Sequence, residues 1–222
     1  MNWGVGMKRN ILITGIYGFI GANFAIYWNN HYPDDRIIGI DKMTYAANPA
    51  NLDSIARHAN MTCYRGDIAD AAFVQSVFER PQWVVNFAAE SHVDRSINNP
   101  ELFIHSNVLG VSVLMDACLR FGVNRFHQVS TDEVYGDLPL ESTSAFTEES
   151  ALHPSSPYAA SKASADLLVL SYARTYGLPI TISRCSNNYG RFQHREKLIP
   201  KVIDCACRDI SIPVYGRGDN RR

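Results

Sequence analysis

Short apolar runs that alternate with longer helix-like stretches constrain the fold of this chain more than any other feature of its sequence. Five such runs are NILIT (10–14), RIIGI (36–40), WVVNF (83–87), RFHQVS (125–130) and PITISR (179–184). Continuous apolar runs, separated by stretches long enough for a crossover helix, are typical of parallel strands that are covered on both faces. The sequence therefore predicts an α/β fold built on a parallel sheet.

Composition excludes several classes of function. The chain has 222 residues, 46% of them apolar and 19% charged, with a formal net charge of -1, which indicates a globular protein of one domain or slightly more. The 21 Lys and Arg residues are scattered, so no nucleic-acid partner is predicted. No apolar run approaches the roughly 18 residues of a membrane helix. The five cysteines show no metal-ligand spacing, so we expect a cytoplasmic protein with reduced thiols, no metal site and no membrane association.

Three glycines open the first predicted helix with G-x-x-G-x-x-G spacing. Gly15, Gly18 and Gly21 directly follow the first strand, and small residues there let the backbone approach a pyrophosphate, which the helix amino end stabilises. Asp41 follows Gly21 by 20 residues, where a carboxylate accepts hydrogen bonds from a ribose 2′-hydroxyl and repels a 2′-phosphate. The sequence thus predicts a Rossmann-type doubly wound sheet that binds NAD in preference to NADP. A purely structural turn capped by Asp41 is the alternative.

Two further strand ends are candidates for the same crevice. Asp67 and Ile68 follow a predicted third strand and could form a wall for an adenine ring, although Asp67 could equally cap a helix. Ala88 and Ala89 follow the fourth strand, and their small side chains permit close approach of a cofactor. Ligands of open parallel sheets collect at the carboxyl ends of the strands.

A tyrosine and a lysine four residues apart open a later helix. Tyr158 and Lys162 share one helix face, and Thr131, at the end of a predicted buried strand, should deliver its hydroxyl to the same crevice. An ammonium beside a phenol favours the phenolate, so we expect Lys162 to pull the pKa of Tyr158 down toward neutrality, and Tyr158 to accept a hydroxyl proton as hydride leaves. A solvated helix face is the alternative.

These motifs together resemble a known family. The glycine-rich turn, Asp41, Tyr158-x-x-x-Lys162 and Thr131 resemble the extended short-chain dehydrogenase/reductase superfamily, and longer stretches narrow the resemblance to its dTDP-glucose 4,6-dehydratases. Those stretches are DKMTYAANPANL, AAESHVDRSI, STDEVYGD, SPYAASKASAD, NNYGRFQHREKLIP and PVYGRGDNRR. The Thr-Asp-Glu block is the most specific of them.

The resemblance implies a three-step reaction on a nucleotide-linked glucose with NAD as cofactor. Tyr158 would deprotonate the C4 hydroxyl as hydride leaves C4. Glu133 would then take the C5 proton while Asp132 protonates the departing C6 hydroxyl, before hydride returns to C6. Neighbouring carboxyl groups tend to titrate apart, which supplies an acid and a base together. The alternative is that Asp132 caps the next turn and Glu133 points to solvent.

The resemblance also assigns binding residues and a homodimer formed through two helices. The cofactor set comprises Gly15, Gly18, Phe19, Ile20, Gly21, Asp41, Lys42, Thr44, Asp67, Ile68, Ala88, Ala89, Ser106, Tyr158, Lys162 and Asn188. The substrate set comprises His92, Thr131, Asn187, Lys197, Leu198, Pro213, Val214, Tyr215 and Arg222. Ile16 and Tyr17 depart from the family, which commonly has smaller residues in the glycine-rich turn.

A glycine-rich turn begins just before the chain stops at Arg222, which predicts C-terminal truncation. We expect an NAD-binding Rossmann domain at 7–190 and the beginning of a smaller, incomplete substrate-binding domain at 191–222. Because the sequence does not identify the nucleobase, a UDP-sugar 4,6-dehydratase or a 4-epimerase is the first alternative function. An inactive NAD-binding fragment is the second.

Overall fold

Six strands form the centre of the molecule in a computed structural model that describes residues 8–57, 60–214 and 216–218. They are β1 (Asn10–Thr14), β2 (Arg36–Asp41), β3 (Met61–Arg65), β4 (Trp83–Asn86), β5 (Arg125–Thr131) and β6 (Ile180–Cys185). All neighbours pair in parallel, in the order β3-β2-β1-β4-β5-β6. The five apolar runs match strands to within one residue at either end, and this Rossmann order confirms the predicted fold class.

Helices connect the strands and cover both faces of the sheet. They are α1 (Phe19–His31), α2 (Ala71–Val77), α3 (Val93–Asn98), α4 (Pro100–Phe103), α5 (Gly110–Phe121), α6 (Pro157–Tyr176) and α7 (Leu198–Cys207). Gly122 and Gly177, both at φ 68°, end α5 and α6, because glycine adopts the left-handed conformation at a helix end without a steric penalty. A π-helical turn, Ile104–Leu109, joins α4 to α5, so the helical structure is continuous from Pro100 to Phe121.

The core has two parts because the sheet is buried on both sides. Leu12 of β1 packs with Leu114 and Met115 of α5 on one face. Ile11 and Ile13 of the same strand pack on the other face with α1. Alternate residues of one strand thus enter different clusters, which explains why the apolar runs are continuous.

The stretch Pro100–Phe121 is, by length and composition alone, long and apolar enough to cross a membrane, which the apolar-run search did not anticipate. Its residues Val111, Leu114 and Met115 are buried in the cluster that covers the sheet. A core helix of an α/β domain passes the same length and hydropathy test, and that is the position this helix occupies.

A row of buried polar side chains crosses three strands, from the carboxyl ends of β1 and β4 to the middle of β5. The Thr14 hydroxyl donates to Asn86 Oδ1 at 2.5 Å, and Asn86 Nδ2 donates to Gln128 Oε1 at 2.9 Å. Thr14 Oγ1 also accepts from the Ala88 amide at 3.2 Å. The row connects β1, β4 and β5 directly below the crevice and therefore fixes the relative positions of their ends.

Candidate active site

The glycine-rich turn brings the start of α1 against the end of β4. Gly15 has φ 65°, and a Cβ built on it would stand 2.8 Å from the Ala88 nitrogen. A Cβ on Gly21 would stand 2.2 Å from the Gly15 oxygen. Gly18 is the N-cap of α1 and has no side chain to accept from the first-turn amides. The turn is therefore closely packed, and the amide groups of Phe19, Ile20 and Gly21 remain available to an anion.

Asp41 lies at the end of β2 beside this turn. Its carboxylate accepts from the Tyr17 amide at 2.9 Å and from the Met43 amide at 2.8 Å. Burial raises the pKa of Asp41, although these two hydrogen bonds act in the opposite direction. Each carboxylate oxygen retains a lone pair for a further donor, as a ribose hydroxyl would require.

Asp67 caps a turn and lines the cleft, whereas the helix cap considered for it in the sequence is a different residue. Its Oδ1 accepts from the Ala69 amide at 3.0 Å, which is a turn cap, while its Oδ2 pairs with Lys42 Nζ at 2.6 Å. Burial would raise the pKa of Asp67, but the Lys42 and Ala69 hydrogen bonds and the Lys42 charge together lower it. The N-cap of α2 is Asp70, which accepts from Phe73, so Asp67 is free of that task and faces the cleft.

A single cleft collects most of the cofactor residues predicted from the sequence. Those that line it are Gly15, Gly18, Asp41, Lys42, Thr44, Asp67, Ile68, Ala88, Ala89 and Ser106. Glu90, which the sequence reasoning missed, also lines the cleft. Burial raises the pKa of Glu90.

A second group of side chains meets at the end of β5. Thr131 is the N-cap of a 3-10 turn, Asp132–Tyr135, and its Oγ1 accepts from the Glu133 amide at 3.3 Å. The Thr131 hydroxyl in turn donates to Asp132 Oδ1 at 3.3 Å. Thr131 is thus the cap that the alternative reading assigned to Asp132. Both acids are half-buried.

Tyr158, near the amino end of α6, faces this group. Burial is the main cause of a pKa for Tyr158 well above that of an ordinary phenol, and the Glu133 and Asp132 carboxylates raise it further. A hydrogen bond with Thr131 acts in the opposite direction. The phenol, the threonine hydroxyl and the two carboxylates therefore interact in one place, as expected.

The prediction that the pKa of Tyr158 is lowered toward neutrality is wrong, because the pKa of Tyr158 is raised. Lys162 is 4% exposed, and its Nζ donates to the Val129 carbonyl oxygen at 2.7 Å. Burial lowers the pKa of Lys162 to about 8, opposed by Asp166. The ammonium is thus bound to strand β5, and burial together with the neighbouring acids raises the pKa of Tyr158.

Two more residues beside Tyr158 were not found from the sequence. Asn107, in the π-helical turn, accepts from the Glu90 amide at 2.9 Å and donates to the Glu90 carbonyl oxygen at 3.0 Å and to Ser161 Oγ at 2.9 Å. Cys185, at the end of β6, accepts a hydrogen bond from Asn188 Nδ2 at 3.1 Å. An asparagine inside an apolar helical stretch was the available signal for Asn107.

Glu196 connects several candidate substrate residues at the cleft mouth. It accepts from the Tyr45 hydroxyl at 3.1 Å, lies 3.9 Å from His92 Nε2 and pairs with Lys197 Nζ at 3.6 Å. The Arg95 guanidinium stands 3.6 Å over the Tyr45 ring. The segment before α7 is thereby joined to the segments that follow β2 and β4.

The other predicted substrate residues occupy more open positions. Asn187, Asn188 and Leu198 are exposed, and Pro213 and Val214 are exposed in the segment after α7. Tyr215 and Arg222 lie outside the described residues.

A Rossmann-ordered sheet with a glycine-rich turn, an acid at the end of β2 and a Tyr-x-x-x-Lys pair beside a β5 threonine defines the short-chain dehydrogenase/reductase class. The sequence model of the family described as GDP-mannose 4,6 dehydratase matches residues 12–222. The chain belongs to that family.

Individual relatives agree with this membership. The dTDP-glucose 4,6-dehydratase of Mycobacterium tuberculosis is 45% identical over 212 residues, which are 96% of this chain and 63% of the relative. The solved structure of DesIV, a dTDP-glucose 4,6-dehydratase from Streptomyces venezuelae with NAD and TYD bound, is 44% identical with a TM-score of 0.89, and the match covers 94% of this chain and 65% of that one. The Thermotoga maritima UDP-glucose 4-epimerase with UDP-glucose is 28% identical with a TM-score of 0.84, covering 94% and 66%. The chain thus spans 63% of the length of its first curated relative.

Proposed function

We propose that the chain carries the catalytic part of an NAD-dependent 4,6-dehydratase acting on a nucleoside diphosphate glucose, with dTDP-glucose as the first candidate. One observation carries the proposal: the Tyr158 phenol interacts with Thr131, Asp132 and Glu133 at the end of β5. An oxidoreductase without an elimination step has no use for two adjacent carboxyl groups there. The activities named for the M. tuberculosis and S. venezuelae relatives support the same reading.

The cleft fits NAD. Backbone atoms occupy the space that a larger residue at Gly15 or Gly21 would need, so the turn is kept narrow. The amino end of α1 can bind a pyrophosphate. Asp41 can accept hydrogen bonds from a ribose that carries no 2′-phosphate. When bound, NAD accepts and later returns a hydride, and its positively charged ring favours the Tyr158 phenolate. The residues that would hold it are the cofactor set named from the sequence.

Tyr158 is the group that takes the proton of the sugar C4 hydroxyl. With its pKa raised, Tyr158 holds its own proton at neutral pH, so it must lose that proton before it can act as a base. The Thr131 hydrogen bond stabilises the phenolate, and a charged Lys162 one turn along α6 adds a favourable field. Thr131 and Lys162 therefore both favour the phenolate that removes the proton from the C4 hydroxyl.

Elimination across C5 and C6 requires a base and an acid, and the 3-10 turn Asp132–Tyr135 carries two carboxyl groups. We assign Glu133 as the base for the C5 proton and Asp132 as the acid for the C6 hydroxyl. The Thr131 hydroxyl, 3.3 Å from Asp132 Oδ1, orients that carboxyl group. Both roles can be served from one turn because the two carboxyl groups belong to successive residues.

We infer that the remaining candidate residues bind the substrate and that the protein is cytoplasmic, as the family resemblance implies. His92 and Lys197 meet at Glu196, which supports a substrate-binding role for the segment before α7. It also supports a domain division near residue 190, after β6 ends at Cys185.

Exposed Leu167 and Leu170 on α6 support a homodimer. The five cysteines are free, which supports a cytoplasmic location.

The test is product formation from dTDP-glucose, detected by the alkali-induced absorbance of a 4-keto-6-deoxy sugar and identified by NMR. Glu133→Gln should lower kcat by about 100-fold or more, because proton abstraction from C5 loses its base. Asp137→Asn, a change of the same kind at an exposed residue four positions along, should leave kcat unchanged.

Other outcomes select the alternatives. Product from UDP-glucose alone would indicate a UDP-sugar dehydratase, and a C4 epimer would indicate an epimerase, whose fold the T. maritima enzyme shares. NAD binding without product from any nucleoside diphosphate glucose would leave an NAD-binding fragment.

A further inference from the structure

A buried ion pair lies one helical turn beyond Lys162. Asp166 is fully buried and shares a face of α6 with Tyr158 and Lys162, because the three residues are spaced by four. Arg184 of β6 donates from Nε to Asp166 Oδ2 at 2.8 Å. A carboxylate removed from water in this way is costly unless it is paired. Neither residue of the pair is among the candidate site residues named from the sequence.

Arg184 also contacts the turn that carries the two acids. Its Nη1 donates to the Tyr135 hydroxyl at 2.9 Å, and its guanidinium lies 5.1 Å from the centre of the Tyr135 ring. Tyr135 is the last residue of the 3-10 turn Asp132–Tyr135. One planar guanidinium thus links α6 to the acid-bearing turn, through two directed hydrogen bonds that a lysine could not make together.

Asp166 also acts on Lys162 electrostatically. Burial lowers the pKa of Lys162, and the Asp166 carboxylate is the first group that opposes this effect. Burial raises the pKa of Asp166 itself, and the Arg184 hydrogen bond is the first contribution that opposes this effect and favours the ionised form. Without the carboxylate, more of the Lys162 population would be neutral near pH 7.

We propose that Asp166, Arg184 and Tyr135 form a positioning unit that keeps Lys162 charged and holds the Asp132–Tyr135 turn in place relative to Tyr158. The unit acts through those residues and does not touch substrate itself. The inference rests on the function proposed above, but its first test requires no turnover.

The first test measures the charge of Lys162 directly. The chain contains five lysines, so NMR of protein labelled with 13C at lysine Cε gives few signals, and Lys162→Met assigns the one of interest. Asp166→Asn should move the Lys162 titration midpoint down by about one pH unit. Asp116→Asn is the matched control, because the Asp116 carboxylate on α5 accepts from Tyr172 of α6 and its loss should leave the midpoint unchanged.

The second test measures the position of the acid-bearing turn. Tyr135→Phe keeps the ring and removes the hydroxyl. Arg184→Lys keeps the positive charge and removes the planar guanidinium that donates to both Asp166 and Tyr135. Each should lower kcat for dehydration about 10-fold while the KM for the sugar nucleotide and the Kd for NAD stay within twofold. Arg120→Lys, which loses a comparable contact to Gln75, should not change kcat.

The outcomes separate this inference from the proposed function. An unchanged Lys162 midpoint in a folded Asp166→Asn protein overturns the inference, and so does an unchanged kcat in both Tyr135→Phe and Arg184→Lys. If Asp166→Asn does not fold, Arg184→Gln replaces it, and a Lys162 midpoint identical to that of the parent protein again overturns the inference. Failure of the proposed function alone would appear as absence of product in the parent protein with the Lys162 shift intact.

Discussion

At the scale of one residue, the site retains Lys162 although burial of its charged ammonium lowers the stability of the fold. The side chain is 4% exposed, and its pKa of about 8 lies below the value of 10.5 for a free lysine. Between these two pH values the unfolded chain binds a proton that the folded protein has released, so stability rises with pH across this window. Below about pH 8 the folded protein carries the full cost of a buried ammonium.

Lys162→Met should therefore change stability in a pH-dependent way. The free energy of unfolding of the variant, relative to the parent, should be most favourable near pH 7 and should decline as the pH rises from about 8 to about 10.5, because the parent then loses its penalty. Urea unfolding at pH 7 and at pH 10.5 measures this difference. Lys8→Met, at an exposed position, is the control. A difference that does not vary with pH would contradict the burial of a charged Lys162.

Residue types were predictable at this site, whereas their electrostatic states were not. Tyr158, Lys162 and Thr131 follow from spacing and strand ends. The raised pKa of Tyr158 depends on burial and on the Glu133 carboxylate, which a sequence pattern does not report. The ion pair of Asp166 and Arg184 was missed for the same reason, since its partners are 18 residues apart.

At the scale of elements, the glycine-rich turn and the end of α5 allow a matched comparison. Gly15 and Gly122 have nearly the same positive φ, 65° and 68°, but a Cβ on Gly15 meets the Ala88 nitrogen at 2.8 Å whereas a Cβ on Gly122 meets nothing within 4 Å. Gly122→Ala should cost only the backbone strain, about 1–2 kcal/mol of unfolding free energy.

Gly15→Ala should cost the same strain and in addition displace β4 from α1. We expect a loss of unfolding free energy at least about 2 kcal/mol larger than in Gly122→Ala, together with at least tenfold weaker NAD binding. Chemical unfolding and isothermal titration calorimetry measure the two effects. Equal losses of stability in both variants would show that the turn has room that the structure does not indicate.

Strands were easier to predict than the π-helical turn for a physical reason. A buried parallel strand is specified by its own few apolar residues, so the five runs match β1, β2, β4, β5 and β6 closely. The π-helical turn is held by Asn107, whose partners lie 17 and 54 residues away. Such tertiary hydrogen bonds leave no trace in the local apolar pattern, so the sequence did not predict the π-helical turn.

At the scale of the whole molecule, the strand order places β1 and β4 side by side with their crossovers on opposite faces, so that the cleft opens between them. NAD binding should therefore stabilise the entire sheet. NAD at 100 times its Kd should raise the free energy of unfolding by about 2.7 kcal/mol, whereas NADP at the same concentration should raise it less, because Asp41 repels the 2′-phosphate. Thermal unfolding across a concentration series measures both, and equal shifts would contradict the role of Asp41.

The row formed by Thr14, Asn86 and Gln128 has a consequence for how this sheet can vary. Removing the middle amide leaves an isolated donor on one side and an isolated acceptor on the other, each costing about 1–3 kcal/mol. Asn86→Leu should thus be strongly destabilising, and a double-mutant cycle with Gln128→Leu should show a coupling of about 1 kcal/mol or more by urea unfolding. Additive losses would contradict this. Substitutions at these three positions should therefore be tolerated together but not singly. We expect related sequences either to keep all three polar residues or to replace all three.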